Sequence, residues 1–288
     1  MDILNSQVEL DSLPKLGRVD VKKLWEPFPL EKINCSFPLL DPYLQRHDEW
    51  TEKIRIIGLD GGILIDYRVL PGLDHLVEYL YSQSGWARPE AYVVSGLGRK
   101  GIDSWSAVSV LSKTKPVLLL GTDLVENLDI VELAFVIGHE TGHLLGYTGE
   151  WRKEISLSFL IREFVEGSRE QELAAFLPGF PWREIYQRIM SNCRTMEVRC
   201  DRLGLILCGD WRRAASALLA TSFKSAGLAR NIDLQKYLSV QIPLLSTSPA
   251  AGPISVNAGH PFVPFRIKSL LDFVNSGDFD YLTRLFKQ

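Results

Sequence analysis

The stretch Ile137-Gly138-His139-Glu140-Thr141-Gly142-His143-Leu144-Leu145 decides the fold, because it places two histidines four residues apart in an apolar run. Each residue of an α-helix turns by about 100°, so His139 and His143 lie one above the other on the same face. Their two imidazoles can therefore bind one metal ion. Glu140 lies about 60° around the axis from His143, near enough to reach a water molecule on that ion.

The spacing H-E-x-x-H is typical of zinc metalloproteases, in which the glutamate acts as a general base. The alternative is a chance match, since such a pattern arises in about one chain in a hundred of this size. A catalytic zinc takes three protein ligands and a water molecule, so the two histidines predict a third ligand elsewhere in the chain.

The composition is that of an ordinary globular protein, with 288 residues, of which 46% are hydrophobic and 23% are charged. The net charge of −3, without a basic run, argues against nucleic acid as a partner. Four cysteines in a chain of this length do not form a disulfide framework and suit a reducing compartment. The N-terminus does not have the pattern of a signal peptide, and no apolar run is long enough to span a membrane. We therefore expect a cytoplasmic protein without a membrane span.

The first 50 residues differ from the rest because they are rich in proline and have no sustained hydrophobic periodicity. We interpret residues 1–50 as an N-terminal extension that wraps the body. Apolar residues such as Leu24, Trp25, Phe28 and Phe37 would hold it in place. Residues 51–288 would then form the domain that carries the metal site.

The hydrophobic pattern predicts an α+β fold that is mostly helical, with a small β-sheet beside the metal-binding helices. Short apolar runs bounded by turn residues predict strands at Glu90–Val94, Ala107–Leu111 and Pro116–Leu120. Four polar residues separate the last two runs, which suits a hairpin.

Two long helices are predicted to carry the site. The first should begin near Asn127 or Asp129 and end at Gly146, a residue type that often follows a helix. The second should follow Pro181 and continue to about Cys208.

The third metal ligand is sought on this second helix, where Glu197 and Asp201 also lie four residues apart and share a face. One carboxylate could bind zinc while the other accepts the N–H of a ligating histidine and fixes its tautomer. The alternative is a solvated face with salt bridges, and His47, His75 and His260 are other possible ligands.

Together these motifs resemble the HtpX, Oma and CAAX-prenyl-endopeptidase family of gluzincin zinc metallopeptidases. The pairing of H-E-x-x-H with E-x-x-x-D-R-x-G at residues 197–204 carries the resemblance, which extends from about residue 89 to residue 273. His260-Pro261, followed by Arg266-Ile267, is similar to a late element of the family. The resemblance implies a zincin-like fold in which residues 51–288 form a zinc metallopeptidase domain.

The resemblance also implies the composition of the metal site. One Zn²⁺ per chain would be held by His139, His143 and Glu197, and Glu140 would be the general base. Many members of the family carry transmembrane helices, which this sequence lacks. Its residues 103–107 also differ from the usual asparagine-alanine-phenylalanine element, so substrate preference cannot be carried over.

Further residues receive supporting roles from the same resemblance. Asp201 would orient His139, while His260 would lie near the substrate carbonyl and Arg266 would buttress that region. Apart from the resemblance, the mechanism calls for a donor to the developing oxyanion, such as His260, Tyr147 or Tyr186.

Substrate is expected to lie extended and to add a strand to an exposed edge of the sheet. The candidate substrate-binding residues are Ala107, Val108 and Ser109. The helical pieces between residues 150 and 178 could form a wall or lid of the cleft, or serve only in packing.

The leading hypothesis is a soluble zinc-dependent metalloendopeptidase that acts on a peptide or protein substrate. One alternative is a zinc-bearing module that binds or regulates without proteolysis, which the presence of Glu140 argues against. A second alternative is a hydrolase of a non-peptide amide that uses the same metal centre.

Overall fold

A computed structural model describes residues 10–27, 41–84, 86–95, 104, 106–111, 115–146, 161, 164, 171–172, 181–249, 251 and 260–287. The strands are β1 Ile63–Leu64, β2 Glu90–Val94, β3 Ala107–Leu111 and β4 Pro116–Gly121. The helices in the first half of the chain are α1 Val21–Trp25, α2 Asp41–Gly61, α3 Pro71–Ser84, α4 Thr122–Asn127 and α5 Ile130–Gly146. Those in the second half are α6 Trp182–Cys208, α7 Trp211–Phe223, α8 Ala226–Arg230, α9 Leu234–Thr247, α10 Val263–Asn275 and α11 Asp278–Phe286.

The described strands form one sheet in the order β1-β2-β4-β3. β2 and β4 are parallel, whereas β3 pairs with β4 antiparallel, with Ser109 opposite Leu118. The predicted strand positions and the antiparallel pairing are confirmed, although the turn at residues 112–114 lies outside the described residues. β3 lies at one edge of the sheet, because it pairs only with β4 in the described chain.

The sheet is covered on both faces, which explains why β4 is a continuous apolar run. One face of the sheet packs against α2 through Ile54. The other face joins the main core, to which Leu118 and Leu120 contribute together with Phe135 and Ile137 of α5. The predicted mostly helical α+β fold with a small sheet is therefore confirmed.

The start of α5 is fixed by a reciprocal capping box. Asp129 Oδ1 accepts hydrogen bonds from the N–H groups of Val131 and Glu132, both at 3.0 Å. Glu132 Oε2 in turn accepts the Asp129 N–H at 3.0 Å. Because these bonds satisfy N–H groups that have no partner within the helix, the helix begins at Ile130, as the sequence predicted.

The second long helix, α6, has the predicted bounds and ends at Gly209. This glycine has φ 75° and its N–H donates to Leu205 O at 2.8 Å. The left-handed conformation is the reason for glycine at this position, since a side chain would strain it.

The α5 and α6 backbones approach closely because glycines recur every four residues on one face of α5. A Cβ atom on any of them would lie within 3.0 Å of α6. Gly138 lies against the backbone of Gly204 and Gly142 against the backbone of Cys200, whereas Gly146 lies against the end of the Met196 side chain. The two helices are thus held at a distance that larger side chains would not allow.

The N-terminal region differs in part from the expected extended arm. α2 begins at Asp41 and passes the predicted boundary at residue 50. Pro42, which suggested extended chain, lies in the first turn of a helix, where the missing N–H costs no hydrogen bond. The division into an arm and a domain at residue 50 stays a prediction.

The described part of the N-terminal segment is packed into the main core. Five of its aliphatic side chains are buried there: Leu10, Leu13, Leu16, Val19 and Leu24. The Gly17 N–H donates to Phe286 O of α11 at 2.5 Å. Phe28 and Phe37, predicted as further anchors, lie outside the described residues. Over the described residues, no helix is both long enough and apolar enough to cross a lipid bilayer.

Candidate metal centre

The side chains of His139, His143 and Glu197 converge on one point between α5 and α6. The two histidine Nε2 atoms are 3.1 Å apart. Glu197 Oε1 is 3.3 Å from His143 Nε2, and Glu197 Oε2 is 3.5 Å from His139 Nε2. All three residues are buried, and their donor atoms form a group that could hold a metal ion.

The convergence follows from the positions of these residues beside the helix contact. His139 and His143 each directly follow one of the glycines that touch α6. Glu197 likewise directly follows Met196, which meets Gly146 of α5. Neighbouring residues of a helix point about 100° apart around its axis. Each of these polar side chains therefore points to one side of the contact between α5 and α6. The donors of the two helices therefore meet next to the tight contact.

The separations of the donor atoms fit a tetrahedral ion. Ligand atoms at roughly 2.0–2.1 Å from Zn²⁺ lie about 3.3 Å apart in a tetrahedral shell. The two histidine nitrogens are close to that separation, and each of them has one Glu197 oxygen at a similar distance, Oε1 for His143 and Oε2 for His139. Glu197 Oε2 is also buried without a hydrogen bond in the described part of the chain. A buried carboxylate oxygen in this state is suited to a cation.

Asp201 and Arg266 lie directly behind the three donors. His139 Nδ1 donates to Asp201 Oδ1 at 2.9 Å, which leaves the Nε2 lone pair directed at the shared point. Arg266 donates twice to Asp201, from Nη2 at 2.6 Å and from Nε at 2.8 Å. Arg266 Nη1 is also 3.4 Å from Glu197 Oε2. The structure thus brings Asp201 within hydrogen-bond distance of His139, and Arg266 next to Asp201 and Glu197; the roles predicted for both residues stay predictions.

The charges of Glu197, Asp201 and Arg266 are partly compensated. Burial disfavours the charged forms of Glu197 and Asp201, but Arg266 and the neighbouring histidines together outweigh burial, so the pKa of each carboxyl is lowered. Burial likewise disfavours the Arg266 cation, and the two carboxylates, Asp201 above all, raise its pKa. Two carboxylates with one guanidinium leave one net negative charge, which favours a cation between the histidines.

His260 lies at the open side of the site. Its side chain is 74% exposed, and Nδ1 is 3.1 Å from Glu197 Oε1. An exposed ring next to a buried residue of the donor group is positioned to meet a molecule that enters from solvent. This placement is compatible with the role near the substrate carbonyl that the sequence predicted.

Glu140 is buried on the same helix, and its surroundings include residues that the sequence did not indicate. Thr141 Oγ1 donates to Ile137 O at 2.7 Å, so the Tyr81 hydroxyl donates to Thr141 Oγ1, also at 2.7 Å. Burial raises the pKa of Tyr81, and the nearby Glu140 raises it further. A buried tyrosine generally needs a partner for its hydroxyl, but nothing in the sequence identifies Thr141 as that partner.

Ser109 makes a contact with Glu140 that the sequence did not predict. It lies on the edge strand β3 with Ala107 and Val108, and its Oγ donates to the Glu140 main-chain oxygen at 2.9 Å. Position in an apolar strand was the only available signal, and it predicts burial rather than a partner.

Several other candidate residues are not brought to the site. Tyr186 lies three turns before Glu197 on α6, which places it about 16 Å away along the axis and argues against a role as oxyanion donor. His75 is exposed on α3 and is not part of the donor group. The side chain of His47, the whole of Tyr147 and most of residues 150–178 lie outside the described residues.

Comparison with known proteins identifies the family. The plastoglobule-localized metallopeptidase 48, chloroplastic, of Arabidopsis thaliana is 24% identical over 128 residues. The alignment covers 44% of this chain but only 35% of that relative. No solved structure matches the chain. Peptidase family M48 matches residues 108–274, which include all of the donors described above and more than half of the chain. The family predicted from the motifs is therefore confirmed, and the chain belongs to peptidase family M48.

Proposed function

We propose that the protein is a zinc-dependent metalloendopeptidase that hydrolyses peptide bonds in a peptide or protein substrate. The observation that carries this proposal is the convergence of His139 Nε2, His143 Nε2 and the Glu197 carboxylate on one point, with separations of 3.1, 3.3 and 3.5 Å. Membership of peptidase family M48 supports the reaction class. The alignment covers only part of the relative's length, so the substrates of the relative are not carried over to this chain.

The three donors would hold one Zn²⁺ per chain. Two histidines and one glutamate are a known ligand set of catalytic zinc, and they leave a further position open. When bound, zinc supplies a Lewis acid that polarises the scissile carbonyl and activates water. Asp201 keeps the His139 ring in the tautomer whose Nε2 can bind the metal. Arg266 keeps Asp201 ionised and in place.

Glu140 is the proposed general base. It directly follows His139 on α5, so its carboxylate leaves the helix beside the donors and not among them. There it would take a proton from the attacking water and later transfer it to the leaving amine. His260, at the exposed side of Glu197, would donate to the carbonyl oxygen as negative charge develops.

The substrate is proposed to bind in extended form along β3. This strand is at the edge of the described sheet, and it packs next to α5. Main-chain groups of Ala107, Val108 and Ser109 would pair with the peptide backbone, as in other complexes formed by addition of a strand. A cytoplasmic location, predicted from the sequence, also stays a prediction.

The test separates metal binding from chemistry by means of two variants. Glu140→Gln should keep the wild-type zinc content and lose turnover of a cleaved peptide by a factor of about 1,000, because the base is removed and the ligands remain. Glu197→Ala should lose zinc as well as activity. The measurements are zinc content after dialysis and cleavage of a peptide library. Glu184→Ala is the matched control, because Glu184 lies on α6, as Glu197 does, but its side chain is 61% exposed.

Three outcomes would contradict the proposal in different ways. Equal cleavage by Glu140→Gln and wild type would exclude Glu140 as the base. A zinc-loaded wild type that cleaves no peptide would indicate a binding module, or a hydrolase of small amides if those are turned over. Full zinc content in Glu197→Ala would exclude Glu197 as a ligand.

A further inference from the structure

We propose that Ser109 is a positioning residue that fixes the substrate-binding edge strand β3 against the helix that carries the general base. The inference rests on the proposed function and deepens it. It identifies one side chain that sets the register between the bound peptide and Glu140.

The contact that carries the inference joins a side chain of the sheet to the main chain of the active helix. Ser109 Oγ donates to the Glu140 carbonyl oxygen at 2.9 Å. Ser109 is 7% exposed and Glu140 8% exposed, so water competes little for this hydrogen bond. A carbonyl oxygen has two lone pairs, and this one can accept the hydroxyl in addition to its bond within α5.

The direction of Ser109 follows from the alternation of side chains along β3. Val108 and Val110 face the cluster that α2 covers. Ala107 packs on the main core, and Ser109, on the same face of the strand, points at α5. Packing alone would be satisfied by an apolar residue at this position, as it is at Leu118 on the neighbouring strand. We therefore assign the Ser109 hydroxyl to its hydrogen bond with Glu140 and not to packing.

The consequence for catalysis is geometric. A peptide that adds to β3 takes its position from the backbone of that strand. The Ser109 hydrogen bond in turn joins β3 to α5 at the general base, because this bond ends on the peptide group of Glu140 itself. The position of the scissile carbonyl relative to Glu140 thus depends on the contact between Ser109 and Glu140. Misplacement of reacting groups by about 1 Å can reduce a rate 100-fold.

This role predicts a specific pattern of kinetic constants. In Ser109→Ala the main-chain groups that bind the peptide remain, so KM should change less than about threefold. The alignment of the carbonyl with Glu140 is loosened, so kcat should fall about tenfold. Ser109→Thr keeps the hydroxyl on a side chain that suits a strand and should restore at least half of the wild-type kcat.

The experiment compares these zinc-loaded variants on an internally quenched peptide that the wild type cleaves. Zinc content and melting temperature are measured for each variant, and kcat is expressed per folded, zinc-loaded molecule. Ser216→Ala is the matched control, because its buried hydroxyl also bonds to α5, but to Glu132 at the far end of the helix, at 2.7 Å. This control should lose stability and keep kcat. If Ser109→Ala does not fold, Ser109→Cys, a close isostere with a weak donor, takes its place, and its kcat should be reduced.

The outcomes distinguish this inference from the proposed function. A lower kcat with little change in KM, together with recovery in Ser109→Thr, supports the positioning role. Unchanged kcat in Ser109→Ala or Ser109→Cys, with wild-type turnover intact, overturns the inference and leaves the proposed function standing. Absence of cleavage by the wild type overturns both.

Discussion

At the scale of single residues, Glu132 is a buried charge that the reaction does not use. Its side chain is 0% exposed, at the start of the metal-binding helix. Ser216 Oγ donates to Oε1 at 2.7 Å, and Arg230 Nη2 donates to Oε2 at 2.5 Å. Burial disfavours its charge, but Arg230, the Asp129 N–H and Ser216 together outweigh burial, so the pKa of Glu132 is lowered. The carboxylate thereby joins α5 to α7 and α8.

Glu132 therefore predicts a dependence of stability on pH. A carboxyl with a lowered folded pKa stabilises the protein above its unfolded pKa of about 4.3. That contribution is lost as the pH falls below this value and through the folded pKa. Urea unfolding measures the free energy of unfolding from pH 7 to pH 3. In the wild type this free energy should fall by the contribution of Glu132, and in Glu132→Gln that part of the fall should be absent. At pH 7 the variant should be less stable by about 1–3 kcal/mol, because its partners lose a charged acceptor.

The control for this prediction is Glu184→Gln, an exposed carboxylate on α6. It should follow the wild type at every pH. The interpretation is contradicted if Glu132→Gln and the wild type lose stability in parallel below pH 5.

At the scale of secondary-structure elements, the account depends on the close crossing of α5 and α6. A Cβ atom at Gly142 would lie 2.8 Å from Cys200 Sγ and 2.9 Å from Cys200 Cα. The second of these atoms is backbone, so rotation of a side chain cannot relieve the clash. The glycine therefore determines the distance between the histidines of one helix and the glutamate of the other.

Gly142→Ala should separate the helices and weaken the metal site. We expect a loss of about 1–3 kcal/mol of stability, as for other overpacked cores. Zinc affinity should fall about 10- to 100-fold, since the ligands lose their alignment. Isothermal titration with zinc and urea unfolding measure the two effects. Gly227→Ala is the control, because a Cβ at this helical glycine meets nothing within 4 Å. Wild-type zinc affinity in Gly142→Ala would contradict the dependence on the crossing.

The elements that the sequence predicted well are those with strong local signals. The bounds of β2 and α6 follow from their apolar patterns and from glycine or proline near their ends, and those of β3 follow from an apolar run between polar residues. The sequence missed the start of α2 at Asp41, because proline indicates both extended chain and the first turn of a helix. The contact of Ser109 with Glu140 was also missed, because it joins residues 31 positions apart and no local pattern encodes it.

At the scale of the whole molecule, the candidate site is assembled from distant parts of the chain. α5 contributes His139 and His143, α6 contributes Glu197 and Asp201, and α10 contributes Arg266. The resemblance of the motifs to the family implied this gathering, although only the folded chain brings the donors to one point. Such a site exists only in the folded chain, so metal binding and folding should support each other.

The most direct test of the central claim is an anomalous-scattering map, collected at the zinc edge from crystals of the zinc-loaded protein. We predict one peak per chain, at about 2.0–2.2 Å from His139 Nε2, His143 Nε2 and a Glu197 carboxylate oxygen. A peak at other residues, or zinc-loaded protein whose map has no peak between these three side chains, would contradict the account.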